Sequence, residues 1–170
     1  HKFQTTNMVH SMFLASKFIN QDVIICYGDI IFDPKVSLSL KENGNILPLN
    51  SEWLKIWKKR MPLNKIKKDA EDVVIKKNYL KLIGGKIKKK YPKYQYMGIF
   101  KLSKKTYFQM LSFYKTLNYQ KIDMTSFLNL SLEKKILRMK IKKFKGYWYE
   151  IDTTLDANVA SKEILKNNIQ

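Results

Sequence analysis

The chain lacks most of the residue types that announce a chemistry by themselves. One cysteine and two histidines occur in 170 residues. A single thiol cannot close an internal disulfide, and Cys26, His1 and His10 have no metal-ligand spacing. Cys26 sits in the apolar run Val23-Ile24-Ile25-Cys26-Tyr27 and reads as an inert core thiol, in keeping with a reducing, cytoplasmic setting. No apolar run approaches the ~20 residues that cross a bilayer as a helix, which excludes membrane insertion of that kind. The patterns G-x-S-x-G, G-x-x-x-x-G-K-[ST] and G-x-G-x-x-G are absent, so covalent catalysis has no obvious nucleophile. Arginine is scarce too. Arg60 and Arg138 stand alone in a chain with 33 basic residues and a net charge of +19. That charge suggests nucleic acid, but bidentate contacts to phosphates and bases favour arginine, and here lysine is scattered over nearly every element. The clusters at 65–68, with Arg60 upstream, and at 86–90 read as solvated faces rather than as a polyanion site. No specific nucleic-acid partner is expected.

What the chain does have is core material. Hydrophobic residues make up 45% and aromatic residues 13%, enough for one domain over 1–170 and too much for global disorder. Met8, Met12, Ala15, Phe18 and Ile19 recur at helical spacing and predict a helix over 6–20. Residues 22–27 predict a central strand ending at Gly28-Asp29. Asp33-Pro34 starts a short helix to about Lys41, followed by a strand over 46–49. Ser51 and Glu52 open a helix bearing Trp53, Ile56 and Trp57, which Pro62 stops. Residues 72–75 and 79–83 flank Lys77-Asn78 as a hairpin, ended by Gly84-Gly85. A strand over 96–102, helices capped by Ser103 and Asp123, a second hairpin (139–143 with 147–151) and a closing helix over 153–166 complete the pattern. Alternating strands and helices predict an α/β domain.

Acidic residues number only 14, and several punctuate apolar runs. Asp29 follows Tyr27-Gly28 at the C-terminal end of a strand, where open α/β sheets bind ligands. Gly28 would let a phosphate or metal approach the backbone, and a carboxylate there is a suitable hard ligand for Mg2+. An aspartate that merely starts a turn is the alternative. Glu150 and Asp152 share one face of a strand, with Ile151 pointing the other way, and Asp156 follows. Two such carboxylates are costly unless a cation lies between them, although Asp152 could equally cap the final helix. Asp69-Ala70-Glu71 lies in a lysine-rich loop where salt bridges suffice, and Asp123 is explained by a helix cap.

Together these segments resemble the sugar-phosphate-type nucleotidyltransferases, in the small-substrate branch related to phosphocholine cytidylyltransferases. The matching pieces are Thr6-Asn7-Met8-Val9 with Ser11, Tyr27-Gly28-Asp29-Ile30-Ile31-Phe32, and Trp53…Trp57-Lys58-Lys59-Arg60 followed by Asp69-Ala70-Glu71. Tyr96-Met97-Gly98 with Lys101, Asp123-Met124-Thr125, and Gly146-x-Trp148-x-Glu150-Ile151-Asp152 with Asp156 follow in family order. Asn50 departs from the pattern, which tends to place an acid three residues before the first Trp. The family's opening strand and glycine-rich loop would lie before Asn7.

The resemblance implies a Rossmann-like mixed sheet flanked by helices, here without its first βαβ portion. It implies transfer of a nucleoside monophosphate, CMP by family branch, from an NTP to a small phosphorylated substrate such as phosphocholine or a sugar phosphate, with pyrophosphate released. Asp29 and Asp152 would share Mg2+. Arg60 and Lys101 would hold anionic groups, Asn7 and Gly28 would meet the nucleotide, and Glu150 and Asp123 would line the acceptor side. Trp148 would offer an aromatic face to a quaternary ammonium group. Without the loop that grips the triphosphate, the 170 residues alone are expected not to turn over. A lysine-driven polyanion-binding module and an inactive remnant remain the rival readings.

Overall fold

The computed structural model describes residues 6–87, 90–118 and 121–168. Lys88 and Lys89 of the second lysine cluster, and residues 1–5 including His1, lie outside them. Helix α1 (Met8–Leu14) is capped by the Asn7 side chain, which accepts from Met8 N–H at 2.7 Å. The chain then tightens into a 3-10 turn at Ala15–Phe18, so the predicted helix divides in two. Strands β1 (Val23–Cys26) and β2 (Ile30–Phe32), helix α2 (Lys35–Ser39) and strand β3 (Ile46–Asn50) follow. Helices α3 (Trp53–Trp57) and α4 (Leu63–Asp69) precede the hairpin β4 (Glu71–Lys76) and β5 (Tyr79–Lys86). Then come β6 (Gln95–Tyr96), β7 (Ile99–Leu102), α5 (Lys104–Lys115), α6 (Met124–Glu133), β8 (Lys140–Phe144), β9 (Trp148–Glu150) and α7 (Thr154–Asn168).

The main sheet runs β1-β7-β3-β8-β5-β4, with β6 also paired to β3, while β2 and β9 form a two-stranded sheet of their own. β3 pairs parallel with β8 and antiparallel with β7, so the sheet is mixed. The predicted α/β, Rossmann-like architecture is therefore present. β3 is buried at every residue, as a strand covered on both faces requires. One core cluster joins α1, α5 and α6 to one face through Phe13, Tyr107, Met110 and Phe127. A second joins α3, α4 and β9 through Trp53, Trp57, Ile66 and Trp148.

Five local expectations need correction. β1 is not central: it pairs only with β7 among the described strands and alternates between half-buried and exposed residues. Cys26 falls on the exposed side and is not a core thiol. The lysine-rich segment 63–69 is a helix entered from Pro62, with Ile66 fully buried and its lysines outward. The segment 96–102 is broken at Gly98, whose φ of +74° suits glycine, and a Cβ there would lie 2.9 Å from the Tyr27 ring. Lastly, β8 and β9 do not pair across Phe144-Lys145-Gly146. β8 enters the main sheet between β3 and β5, and β9 leaves to pair with β2.

Candidate active site

The β2–β9 ladder is what assembles the site. Ile30 faces Glu150 and Phe32 faces Trp148 in antiparallel register. The ladder extends one rung further, where Ile151 N–H donates to the Asp29 carbonyl at 2.8 Å. The backbone of Asp29 thus lies beside the end of β9, opposite Ile151. On the Asp29 side a cavity of about 350 Å3 is lined by Met8, Ser11, Tyr27, Gly28 and Asp29, among others. On the other side a second, also about 350 Å3, is lined by Trp57, Arg60, Glu150, Asp152, Glu71, Gln95 and Asp123, among others. Met8, Tyr27 and Met124 border both, so the two cavities adjoin. Nothing lies within 4 Å of the place a Gly28 Cβ would occupy, which leaves an open approach to the backbone beside Asp29.

Arg60 is the hub of the second cavity. Its side chain is only 4% exposed; Nη2 donates to Glu150 at 2.8 Å, and Nη1 to Asp156 at 3.2 Å and Asp152 at 3.3 Å. α3 delivers it, because Trp57 is anchored in the second core, against Trp148 at 5.9 Å between ring centroids. Burial pushes the Glu150 carboxyl up to about 7; Arg60 opposes the rise, while Asp152, Asp29 and Asp69 add to it. For Asp156, burial works upward too, but hydrogen bonds from Thr153 and Arg60 outweigh it and hold the carboxyl below its ordinary value. Asp156 accepts from Thr153 N–H and hydroxyl while its own N–H returns to the Thr153 hydroxyl. Thr153 and Asp156 therefore cap α7 as a reciprocal box, and Asp152 is free of that duty.

Asp29 and Asp152 suit Mg2+ by their chemistry. Both are hard oxygen donors at adjoining strand ends, and the Asp152 side chain is 61% exposed. Among the described residues no group of three or more His, Cys, Asp or Glu gathers as a metal cage. An ion there would draw its other ligands from water and phosphate, which is the usual habit of Mg2+.

Not every predicted residue reaches the cleft. Lys101 is 8% exposed and turned away from the cleft, its ammonium donating to the Glu42 carbonyl at 2.9 Å and pairing with Asp22 at 3.2 Å. Trp148 is fully buried and does not line the cleft. Asn7 serves as the α1 cap, and its neighbour Met8 is the residue that reaches the cleft. Asp123 caps α6 as predicted and also lines the cavity. Asn50 is fully buried, donating to the Gly146 carbonyl and accepting from Glu52 N–H, a job that needs an amide rather than an acid. Gln95 was not predicted. It is 3% exposed, lines the second cavity, and leaves its side-chain oxygen without a hydrogen-bond partner among the described residues.

The frame of the site is a mixed α/β sheet with acidic residues at adjoining strand ends and an open glycine beside Asp29. No family model matches the chain. It is 32% identical to the CTP:phosphoglutamine cytidylyltransferase of Campylobacter jejuni, covering 93% of this chain and 68% of that protein. The chain belongs to the nucleotidyltransferase family of that cytidylyltransferase. The inositol-1-phosphate CTP transferase of T. maritima superposes with a TM-score of 0.68 at 23% identity, over 95% of this chain and 64% of its own length. An apo UDP-glucose pyrophosphorylase superposes with a TM-score of 0.64 at 14% identity, over 98% of this chain and 63% of its own. The chain thus spans just under two thirds of these solved structures, and they share its fold. No described helix is long and apolar enough to cross a membrane.

Proposed function

We propose that the protein is a Mg2+-dependent nucleotidyltransferase of the cytoplasm that transfers CMP from CTP to a small phosphorylated acceptor. What supports this reading is the rung between Ile151 and Asp29, which runs the backbone of Asp29 alongside the end of β9, opposite the residue that lies between Glu150 and Asp152 in the register. An acceptor phosphate oxygen forms a bond to the α-phosphorus, the bond to the β-phosphate oxygen breaks, and pyrophosphate leaves with the electron pair. Such a reaction asks the protein chiefly for position and charge. Asp29 and Asp152 would hold Mg2+, which when bound neutralises phosphate charge. Gly28 leaves space for a phosphate to reach the strand end. Arg60 acts differently from the expectation that it holds substrate anions: both its Nη atoms are committed to carboxylates, so it fixes the directions of Asp152 and Glu150.

Both the preference for CTP and the absence of turnover in these 170 residues alone are part of the proposal. The cytidylyltransferase relative supports the first. The second follows from a triphosphate that needs more donors than this cleft's single guanidinium. Pyrophosphate release, measured for the 170-residue chain and the full-length protein with CTP, ATP, GTP and UTP, tests both. Release by the full-length protein with CTP foremost is expected. Equal rates with all four nucleotides, or equal rates from both proteins, would refute the corresponding part.

A further inference from the structure

The turn end of the β4–β5 hairpin carries a concentration of charge that the cleft does not use. A cavity of about 500 Å3 lies between this turn and the connection from α6 to β8, a size usual for small-molecule sites. Lys76, Lys77, Lys81, Lys135 and Arg138 line it, with Glu133 as the opposing charge. Among the described residues none of these five cations has an ion pair. Glu133 is engaged by the Asn129 amide at 3.1 Å. The lysines of β8 nearby differ, because Lys140 and Lys142 both pair with Glu42. The cavity shares no lining residue with the cleft. Met124, at the start of α6, borders the cleft; Glu133, at its end, borders this cavity, about 13 Å further along the helix axis.

Two further features mark this charge as placed rather than scattered. Lys77 and Lys135 both occupy the left-handed region, at φ of +48° and +57°. Lys77 and Asn78 form the hairpin turn, where Asn and Gly are the ordinary choice, and Lys135 follows the C-cap of α6, where glycine is. A long side chain is unfavourable at both positions, so a lysine at each calls for a reason beyond the turn itself. The dipole at the end of α6 favours a cation at Lys135 but accounts for none on the hairpin. Arg138 is the second feature. It is one of two arginines in the chain, and its guanidinium lies over the Tyr79 ring at 4.0 Å. Stacking holds the flat face and leaves the N–H edge for an acceptor, an arrangement that suits a phosphate. Backbone bonds tie the two walls together: Leu80 N–H donates to the Met139 carbonyl at 3.0 Å and Ile141 N–H to the Asn78 carbonyl at 2.9 Å. Buried Leu80 and Leu137 give the cavity an apolar floor, which focuses the field of the cations.

We propose that this cavity is a second anion site of the protein, and that its ligand is a compact polyphosphate, either an inorganic chain or the triphosphate of a nucleotide. Five cations against one carboxylate leave a surplus of four positive charges, and a chain of three phosphates carries a comparable negative charge. The cations come from both sides of a concavity instead of tracking a groove, which suits a compact ligand better than a nucleic-acid backbone. The site stands whether or not the cleft performs the proposed transfer.

The test uses the full-length protein in EDTA at physiological ionic strength, with tripolyphosphate, CTP and ATP as probes and calorimetry as the readout. Hydrogen exchange locates the site: tripolyphosphate should protect residues 76–81 and 132–138. Lys77→Gln with Arg138→Gln should weaken tripolyphosphate binding about tenfold or more, because charge-assisted bonds to phosphate are lost. Lys104→Gln with Lys115→Gln removes the same charge from exposed positions on α5 and should change binding less than about twofold, since salt screens distant surface charges. Lys77→Gly should bind more weakly yet melt no lower than the parent protein, because glycine suits a φ of +48°. Thermal melting of the double variants confirms folding. Tighter binding of tripolyphosphate than of CTP and ATP identifies an inorganic chain as the ligand; the reverse order, lost in the Lys77 and Arg138 double variant, identifies a nucleotide. Equal losses in the two double variants would mean attraction to net charge alone and would overturn the site. So would protection confined to the cleft, or tighter binding of a single-stranded oligonucleotide at the hairpin than of any of the three probes.

Discussion

Arg60 and Glu150 meet at 2.8 Å across 90 positions of sequence, and the same guanidinium also touches Asp152 and Asp156. One cation thus joins the end of α3, the end of β9 and the start of α7. Removing it would strand the buried Asp156 carboxylate and the half-buried Glu150, the costly way to break such a pair. Arg60→Gln should lower unfolding stability by about 3 kcal/mol, since the exposed Asp152 contributes little to the loss. Arg60→Lys should recover only part, because an ammonium cannot span three partners. Urea titration of the three proteins checks the order.

Glu150 also sets a pH signature. Its folded carboxyl titrates at about 7 against an ordinary value of 4.5. Between those values the folded state holds a proton that the unfolded state has released, so this group's contribution makes stability fall as pH rises from 4.5 to 7. Glu150→Gln should flatten that part of the stability–pH curve. An unchanged slope in the variant would show that another group is responsible.

Lys101 and Trp148 provide contrasting controls. Lys101→Met should cost roughly 1 kcal/mol through its lost bonds to Asp22 and Glu42 and leave kcat/KM within about threefold. Trp148→Ala should cost about 3–5 kcal/mol as a buried truncation. Trp148→Phe, which keeps the core filled, should leave the choice of acceptor unchanged. Steady-state kinetics with CTP and alternative phosphorylated acceptors separates the two roles.

Gly98 is a backbone requirement of the cleft. Gly98→Ala would place a methyl against Tyr27 at a φ of +74°, at a cost of about 1–3 kcal/mol. It should also loosen the Tyr27 N–H to Gly98 carbonyl bond of 2.9 Å that closes the site end of β1. Differential scanning calorimetry and hydrogen exchange at Tyr27 measure both effects.

Much of this arrangement is legible in sequence because it is local. Ser103 and Asp123 are caps recognisable from one residue and its neighbours, whereas the Asn7 cap is not read from the sequence. Asp29 is found from a strand end and a glycine, and Glu150 with Asp152 from strand alternation. What escapes is long-range. Phe144-Lys145-Gly146 has every mark of a hairpin, yet β8 is claimed by the buried β3, which pairs with it along five residues. α4 buries only Ile66, with Ala70 just past its end, too little to outweigh its lysines by pattern. Lys101 looks like a free cation until Asp22 is folded against it, and Gln95 carries no local signal. Its unpaired oxygen exists only once the walls of the cleft are assembled.

The central claim is that Asp29 and Asp152 act together on one phosphate-bound ion. Its most direct measurement is pyrophosphate release from CTP by the full-length protein carrying Asp29→Asn, Asp152→Asn or both, over a Mg2+ titration. Each single variant should lose about 100-fold or more in kcat at saturating Mg2+, in line with removal of a group that stabilises transition-state charge. The double variant should be scarcely worse than either single one, as expected of residues that work as a unit. Independent, multiplicative losses, or single variants with rates near the parent protein, would contradict a shared ion and the site built around it.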